Sequence, residues 1–396
     1  MPKIESQSER CSSCIDYDLH GLVGVRLVNP SKRDVAAVEG QLGPLQRPLT
    51  REPDFVLRFV DHLETPGMRY LGLEAGFTDD GRLVLSNDVR LSKVSIPFAQ
   101  IGREQFEIVC ESGLRSVPLL TAILNLTILK KDHVALHASA FVHKGTGVLA
   151  TAWTKGGKTE ALLAFGSHAA EYIGDEWIWL SADGQRMYGI PGNILIWDWQ
   201  LKHLPRLRAK VGTGDRLMFG AINSLERMER IVPHSKLDHM FPLKFLREAM
   251  PRLRGRRHVR LTPQEIFEAR LGPLVASPEK VFLMMGHEDD RIRVEPVSPS
   301  EIAIRMVASI HYEQSAFEEF YLAFKFAFPG VRNEFLEHAA ELQASILCRA
   351  LAGKEAYLVL HPYPVSLPGL YEAMEPFCGR PLREQPGVRV REPVRA

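Results

Sequence analysis

Residues Ala152 to Thr159 read A-W-T-K-G-G-K-T. Gly157, Lys158 and Thr159 match the end of the phosphate-binding pattern G-x-x-x-x-G-K-[ST], and Ala152 stands where its first glycine falls. Each residue type has a physical reason to be there. Backbone N–H groups must converge on phosphate oxygens, so glycine belongs where the chain comes closest. Lysine brings a positive charge to the outer phosphates, and the threonine hydroxyl is a ligand for Mg²⁺. A helix starting at Lys158 would turn its positive N-terminal end toward the same anion. The stretch therefore predicts a nucleotide site built from Thr154, Lys155, Gly156, Gly157, Lys158 and Thr159, with ATP and Mg²⁺ as ligands.

Gly174-Asp175-Glu176 follows at the end of an expected strand. Taken alone, such a triplet suits a solvated turn. Beside a phosphate loop, two acids at a strand's carboxyl end can divide labour, one near Mg²⁺ and one accepting a hydroxyl proton. A third residue, His137 in L-H-A-S-A, lies on the strand that leads toward the loop strand. A lone histidine in an apolar strand is ordinarily a core residue, so its position in the order carries the weight.

The elements that must position these groups read as follows. Residues 1–20 mix serine, charge and cysteine without periodicity and predict a flexible arm. Residues 21–115 break into short β-rich pieces, among them Leu22–Val28, Phe55–Val60, Arg82–Ser86 and Phe106–Cys110, with Asp79-Asp80-Gly81 as a turn. Pro118–Lys131 is apolar over four turns and predicts a helix. Two apolar strands then flank the turn before the loop, Lys158–Gly166 has helical spacing, and Ala170–Ile173 and Trp177–Leu180 read as strands. Further on, Thr262-Pro-Gln-Glu and Ser298-Pro-Ser-Glu each carry capping-box spacing. Val281–Met285 reads as a strand, Glu334–Leu351 as a long helix, Ala356–His361 as a strand, and 381–396 as a flexible tail. The fold class is α/β (α+β overall), with a β-rich N-terminal domain at 21–115 and a catalytic domain at 116–380.

Composition narrows the function classes. The 396 residues carry 49 Lys plus Arg against 48 Asp plus Glu, a net charge of +1, so no global field favours nucleic acid or an anionic membrane. The stretch Lys244–Arg260 concentrates seven basic residues, yet its one aromatic ring of the Phe, Tyr or Trp type, Phe245, is not a series interleaved to stack on bases. Five cysteines do not make a disulfide framework; Cys11 and Cys14 have C-x-x-C spacing without a second pair. The polar opening MPKIESQSERCSSC predicts no secretory signal, and no run of ~18 apolar residues predicts a membrane span, so the expected location is cytoplasmic.

His137, the loop at Ala152–Thr159 and the acid pair Asp175-Glu176 occur in an order that resembles the catalytic core of HPr kinase/phosphorylase. That family is a group of P-loop kinases whose fold is shared with phosphoenolpyruvate carboxykinase. The resemblance spans about forty-five residues, from His137 to Leu180. It implies a P-loop kinase core of the HPr kinase C-terminal type. It also implies Asp175 as general base toward a serine-type hydroxyl, Glu176 and Thr159 near Mg²⁺, and His137 positioning the phosphate or the base. Glu176 stands where the family has its second aspartate, and Met187–Gly192 is the nearest counterpart of its glycine-rich signature. The expected partner is a protein or peptide substrate, and homo-oligomerisation is a family trait. Two readings compete with this one: a kinase of small-molecule hydroxyls, and a nucleotide-binding regulatory or scaffold protein without turnover.

Overall fold

The computed structural model describes residues 13–86, 92–103, 105–231, 250, 253, 255–268 and 271–379. The fold is mixed α/β and rests on two large sheets. The first holds β1 (Cys14–Leu19), β2 (Val23–Val28), β3 (Phe55–Val60), β4 (Arg69–Leu71), β5 (Ala75–Phe77), β6 (Leu83–Ser86), β7 (Lys93–Ile96) and β8 (Phe106–Glu111), with helix α1 (Lys32–Leu42) between β2 and β3. Its order is β1-β2-β3-β8-β7-β6-β5-β4. Strands β2, β3 and β8 run parallel, and the remaining pairs are antiparallel.

Residues 14–19 thus correct the expectation of an arm extending to residue 20. Tyr17 and Leu19 are fully buried, and every residue of β1 pairs with β2. Ile15, Tyr17 and Leu19 alternate with Asp16 and Asp18, the period-2 pattern of a half-buried strand, and Asp16 is held by Arg26 of β2 at 2.8 Å. Cys14 opens this strand; Cys11 and the tail 381–396 lie outside the described residues.

After α2 (Leu120–Leu129) come β9 (His133–His143) and β10 (Thr146–Ala152), joined by a tight turn with left-handed Lys144 and Gly145 (φ 50° and 81°). Next are α3 (Lys158–Gly166), β11 (Glu171–Gly174), β12 (Trp177–Ser181) and β13 (Met187–Gly189). A small excursion follows, formed by β14 (Ile194–Trp197), α4 (Pro205–Lys210), α5 (Thr213–Ile231), β15 (His258–Leu261) and α6 (Pro263–Phe267). The basic stretch ahead of β15 lies largely outside the described residues. The chain ends with β16 (Val275–Ala276), β17 (Lys280–Gly286), β18 (Arg293–Pro296), α7 (Pro299–Glu313), α8 (Ser315–Ala327), α9 (Glu334–Leu351), β19 (Glu355–His361) and α10 (Leu367–Met374).

The second sheet has the order β16-β13-β12-β9-β10-β17-β19-β18. Strand β9 is its pivot. One edge pairs with β10, while the other is shared by β12 along its first half and β11 along its second. The gap between β11 and β12 is where Asp175 and Glu176 leave the sheet.

The two sheets share one core. A single cluster of buried side chains runs from Tyr17 and Phe55 through Leu124 and Trp179 to Ile302 and Leu347. Asn333, the N-cap of α9, donates to the carbonyls of Phe98 and Ile101 at 2.8 Å each, tying that helix to the loop after β7. The capping box at Thr262 forms as expected. At Ser298 the hydroxyl accepts from Ser300 N instead, and Glu301 turns outward to pair with Arg305 one helical turn on. Phe324 fills the core, whereas Phe326 is exposed because the 3.6-residue period rotates it away. Among the described residues no helix is long and apolar enough to cross a membrane.

Candidate functional site

The loop Trp153–Gly157 joins β10 to α3, so its geometry is set by a fully buried strand on one side and a buried helix on the other. Ala152, at the strand end, has no exposed surface. A Cβ at Gly156 would lie 2.7 Å from the Ala152 methyl and 2.8 Å from the Trp153 carbonyl, so glycine at 156 is what makes room for alanine at 152. Gly157, the N-cap of α3, has φ 110°, and a Cβ there would lie 2.6 Å from His361 Nε2. Lys155 is also left-handed at φ 58°, a conformation that costs a non-glycine residue roughly 1–2 kcal/mol. The helix start offers no side-chain cap to its N–H groups, which leaves them for an anion.

His361, at the end of β19, locks the loop from below. Its Nε2 donates to the Gly156 carbonyl at 3.0 Å, and the ring is almost wholly buried. Lys158 is buried as well, and its carbonyl accepts from Ser139 Oγ of β9 at 2.7 Å. Glu160, one residue past Thr159, is buried against Gln200, whose amide donates to it at 2.9 Å. Burial raises the Glu160 carboxyl above its usual range, partly offset by the Gln200 bond and the Lys158 charge.

Asp175 and Glu176 meet this loop from the gap between β11 and β12. Thr159 Oγ1 donates to Asp175 Oδ2 at 3.0 Å, while Asp175 Oδ1 is buried without a hydrogen-bond partner among the described residues. Burial, and then the neighbouring Glu176 charge, push the Asp175 carboxyl up to about 7, against the opposing pull of Lys158 and Thr159. Glu176 is left-handed at φ 67°, and its carbonyl accepts from Ala138 N, which pins the corner to β9. Its carboxylate accepts from His137 Nε2 at 3.0 Å. Burial would raise Glu176, but the His137 bond and the Lys158 charge outweigh it and leave the group below the ordinary range. The close packing behind this corner depends on Gly189, where a Cβ would fall 1.8 Å from the Ile173 carbonyl. The stretch Met187–Gly192 therefore serves as a backbone-approach strand beside the acids.

The residues of the expected nucleotide and acid-pair site come together: His137, Thr154, Lys155, Gly156, Gly157, Lys158, Thr159 and Glu176 line one cavity of about 230 Å³, and Asp175 is bonded to its Thr159 wall. The structure adds residues that no local signal marked. Glu313, the last residue of α7, brings Oε1 to 3.2 Å from His137 Nδ1, close enough for charge attraction though not aligned as a hydrogen bond. Leu195, Trp197, Gln200 and Tyr363 supply a mostly apolar and aromatic rim. Trp153 is about half exposed and lies against Tyr312 with ring centroids 4.7 Å apart. A distant glutamate or tyrosine has no motif of its own, so only its place in the fold could reveal it.

Among the described residues, no group of three or more His, Cys, Asp or Glu side chains is arranged to hold a metal by protein ligands alone. A scan against protein-family models, a search of curated proteins and a search of solved structures each return no match.

Proposed function

We propose that this chain is an ATP- and Mg²⁺-dependent phosphotransferase that moves the γ-phosphoryl group to a hydroxyl, with serine of a protein or peptide as the expected acceptor. On this reading the nine-stranded sheet and α3 form a P-loop kinase core of the HPr kinase C-terminal type. One observation carries the proposal: three separated segments, His137, 154–159 and 175–176, meet in a single cavity, joined by the Thr159–Asp175 and His137–Glu176 hydrogen bonds.

The chemistry each residue would perform follows from its surroundings. The uncapped amides at the start of α3 and the Lys158 ammonium would hold the phosphates, and the low-dielectric wall strengthens their attraction. Thr159 and Glu176 are the residues whose oxygens would hold Mg²⁺, which ordinarily binds one or two protein ligands together with phosphate oxygens. Such a cation neutralises charge on the phosphates. Asp175, raised toward neutral pH, is suited to accept a proton from an acceptor hydroxyl. In the transfer, the acceptor oxygen bonds to the γ-phosphorus and its proton passes to the Asp175 carboxylate. The bond from phosphorus to the β–γ bridging oxygen breaks, and ADP leaves with that electron pair. His137, held between Glu176 and Glu313, would orient the acid pair.

The decisive experiment compares the intact chain with Lys158→Ala. ATP with Mg²⁺ at a hundred times its Kd should stabilise the intact protein by about 2.7 kcal/mol, and this shift should vanish in the variant. Retention of full transferase activity by Lys158→Ala would sink the proposal.

A further inference from the structure

Behind the acid pair lies a second cavity, of about 250 Å³. Gln41 of α1, Thr121 of α2, Asn193 ahead of β14, and Asp175, Glu176 and Trp177 are among its walls. Glu176 belongs to both cavities, and Asp175 links them, since its Oδ2 accepts from Thr159 on the loop side. Asp175 is 7% exposed, and its Oδ1 has no hydrogen-bond partner among the described residues. A buried carboxylate oxygen with nothing to accept from is costly unless a ligand supplies the donor.

The walls are preformed. The Gln41 amide is fastened on both sides, donating to the Val117 carbonyl at 3.1 Å and accepting from Val117 N at 2.8 Å. Helix α1 ends against the segment before β14, where a Cβ on Gly43 would fall 2.5 Å from the Pro191 carbonyl. Among the described residues the lining contains two carboxylates and neutral polar and apolar groups but no lysine, arginine or histidine. Such a wall repels an anionic compound and accepts an uncharged or cationic one.

We infer that this second cavity is the acceptor subsite, and that it takes a small primary alcohol whose remaining polar groups are uncharged or carry an amine. The inference rests on the kinase reading and extends it. The acceptor enters from the side of the N-terminal sheet, its hydroxyl meets Asp175, and the phosphoryl donor occupies the loop cavity. The same chemistry is presented by a free amino alcohol or by a serine in a peptide. The N-terminal region thereby acquires a role: α1 closes the wall that selects the acceptor.

The test uses the full chain with ATP and Mg²⁺ and four acceptors: ethanolamine, glycerol, a seryl tripeptide amide and the anionic alcohol glycolate. Products are read by mass spectrometry. Transfer to one or more of the first three, and none above background to glycolate, is expected; the tripeptide against ethanolamine separates a peptide source from a free one. Asn193→Trp, at an exposed position on the rim, should raise the acceptor KM by about tenfold or more while KM for ATP and the thermal shift with ATP stay the same. Asn193→Lys serves as a second variant and should impair ethanolamine more than glycerol. Preference for glycolate, no transfer to any uncharged or amine-bearing alcohol, or acceptor KM values unmoved in both variants, would each overturn the acceptor subsite while ATP binding persists. Absence of any ATP shift in the intact protein would instead overturn the kinase reading beneath it.

Discussion

The two cavities that meet at Asp175 and Glu176 are built by opposite means. The loop cavity takes one wall from a contiguous run, Thr154 to Glu160, shaped by left-handed Lys155, the glycine pair and the start of α3. The second cavity draws on residues as far apart as Gln41, Thr121, Asp175 and Asn193, each from a different element. A backbone cradle for an anion needs only local conformation, because every residue carries the same N–H group. A cavity that discriminates side groups needs several side chains from distant segments, held by long-range packing.

This contrast can be broken at three points. The largest effect is expected at the junction. Asp175→Asn should lower phosphoryl transfer by about 10²- to 10⁴-fold while leaving the ATP-dependent thermal shift in place, because the amide still accepts from Thr159 but cannot take a proton. Its stability should move the other way. In the folded protein the Asp175 carboxyl is raised to about 7, facing Glu176, Lys158, Thr159 and Tyr172, whereas in the unfolded chain it ionises in the ordinary carboxylate range near 4. Wild-type stability therefore falls as pH rises between those values, and the penalty is complete above about 7. The asparagine variant should melt several degrees higher than wild type at pH 8, with the gap closing below about pH 4. Equal melting temperatures at both pH values would show that the burial of this carboxylate carries no such cost.

The next effect separates the two walls by stability. Gly157→Ala meets both a left-handed backbone and the His361 ring, and should cost about 2–4 kcal/mol in urea unfolding with an unchanged m-value. Asn193→Trp, exposed on the other wall, should stay within about 0.5 kcal/mol of wild type. A Gly157→Ala protein as stable as wild type would mean that the loop is not held by His361. The smallest effect concerns Glu313. Glu313→Gln keeps the shape but removes the charge beside His137 Nδ1, and transfer at pH 7 should fall by roughly 3- to 10-fold with ATP binding unaltered. A loss as large as that of Asp175→Asn would place Glu313 among the groups that contact the reacting atoms.

Legibility followed the range of the interactions. The strands Phe55–Val60 and Phe106–Glu111, the helix Glu334–Leu351 and the helix that follows the phosphate loop all carried local periodicity, and the structure has them close to where the pattern put them. Strand β1 carries its alternation in a short run, Ile15, Tyr17 and Leu19 against Asp16 and Asp18, next to a serine- and charge-rich opening that hides it; Arg26 and Arg51 pair with the two outward aspartates. Ser298 had the spacing of a capping box, but Glu301 found a better partner in Arg305. In the site, Lys158, Thr159, Asp175, Glu176 and His137 were visible by type and order. Glu313, His361 and Gln200 were not, because nothing near them in the chain distinguishes them from surface or core residues.

What the sequence by itself determined is where the loop between β10 and α3 lies and which of its residues can take unusual backbone angles. Glycine at 156 and 157 permits the close approach and the left-handed backbone found there, and a helix-forming run directly after it sets where α3 begins. Only the tertiary structure decided what that loop faces. The split of β9 between β11 and β12 opens the gap from which Asp175 and Glu176 project. The shared core brings α1 and α2 against the same corner. The reason is physical: φ and ψ preferences act between neighbours, whereas burial, charge pairing and cavity shape depend on which distant surfaces are pressed together.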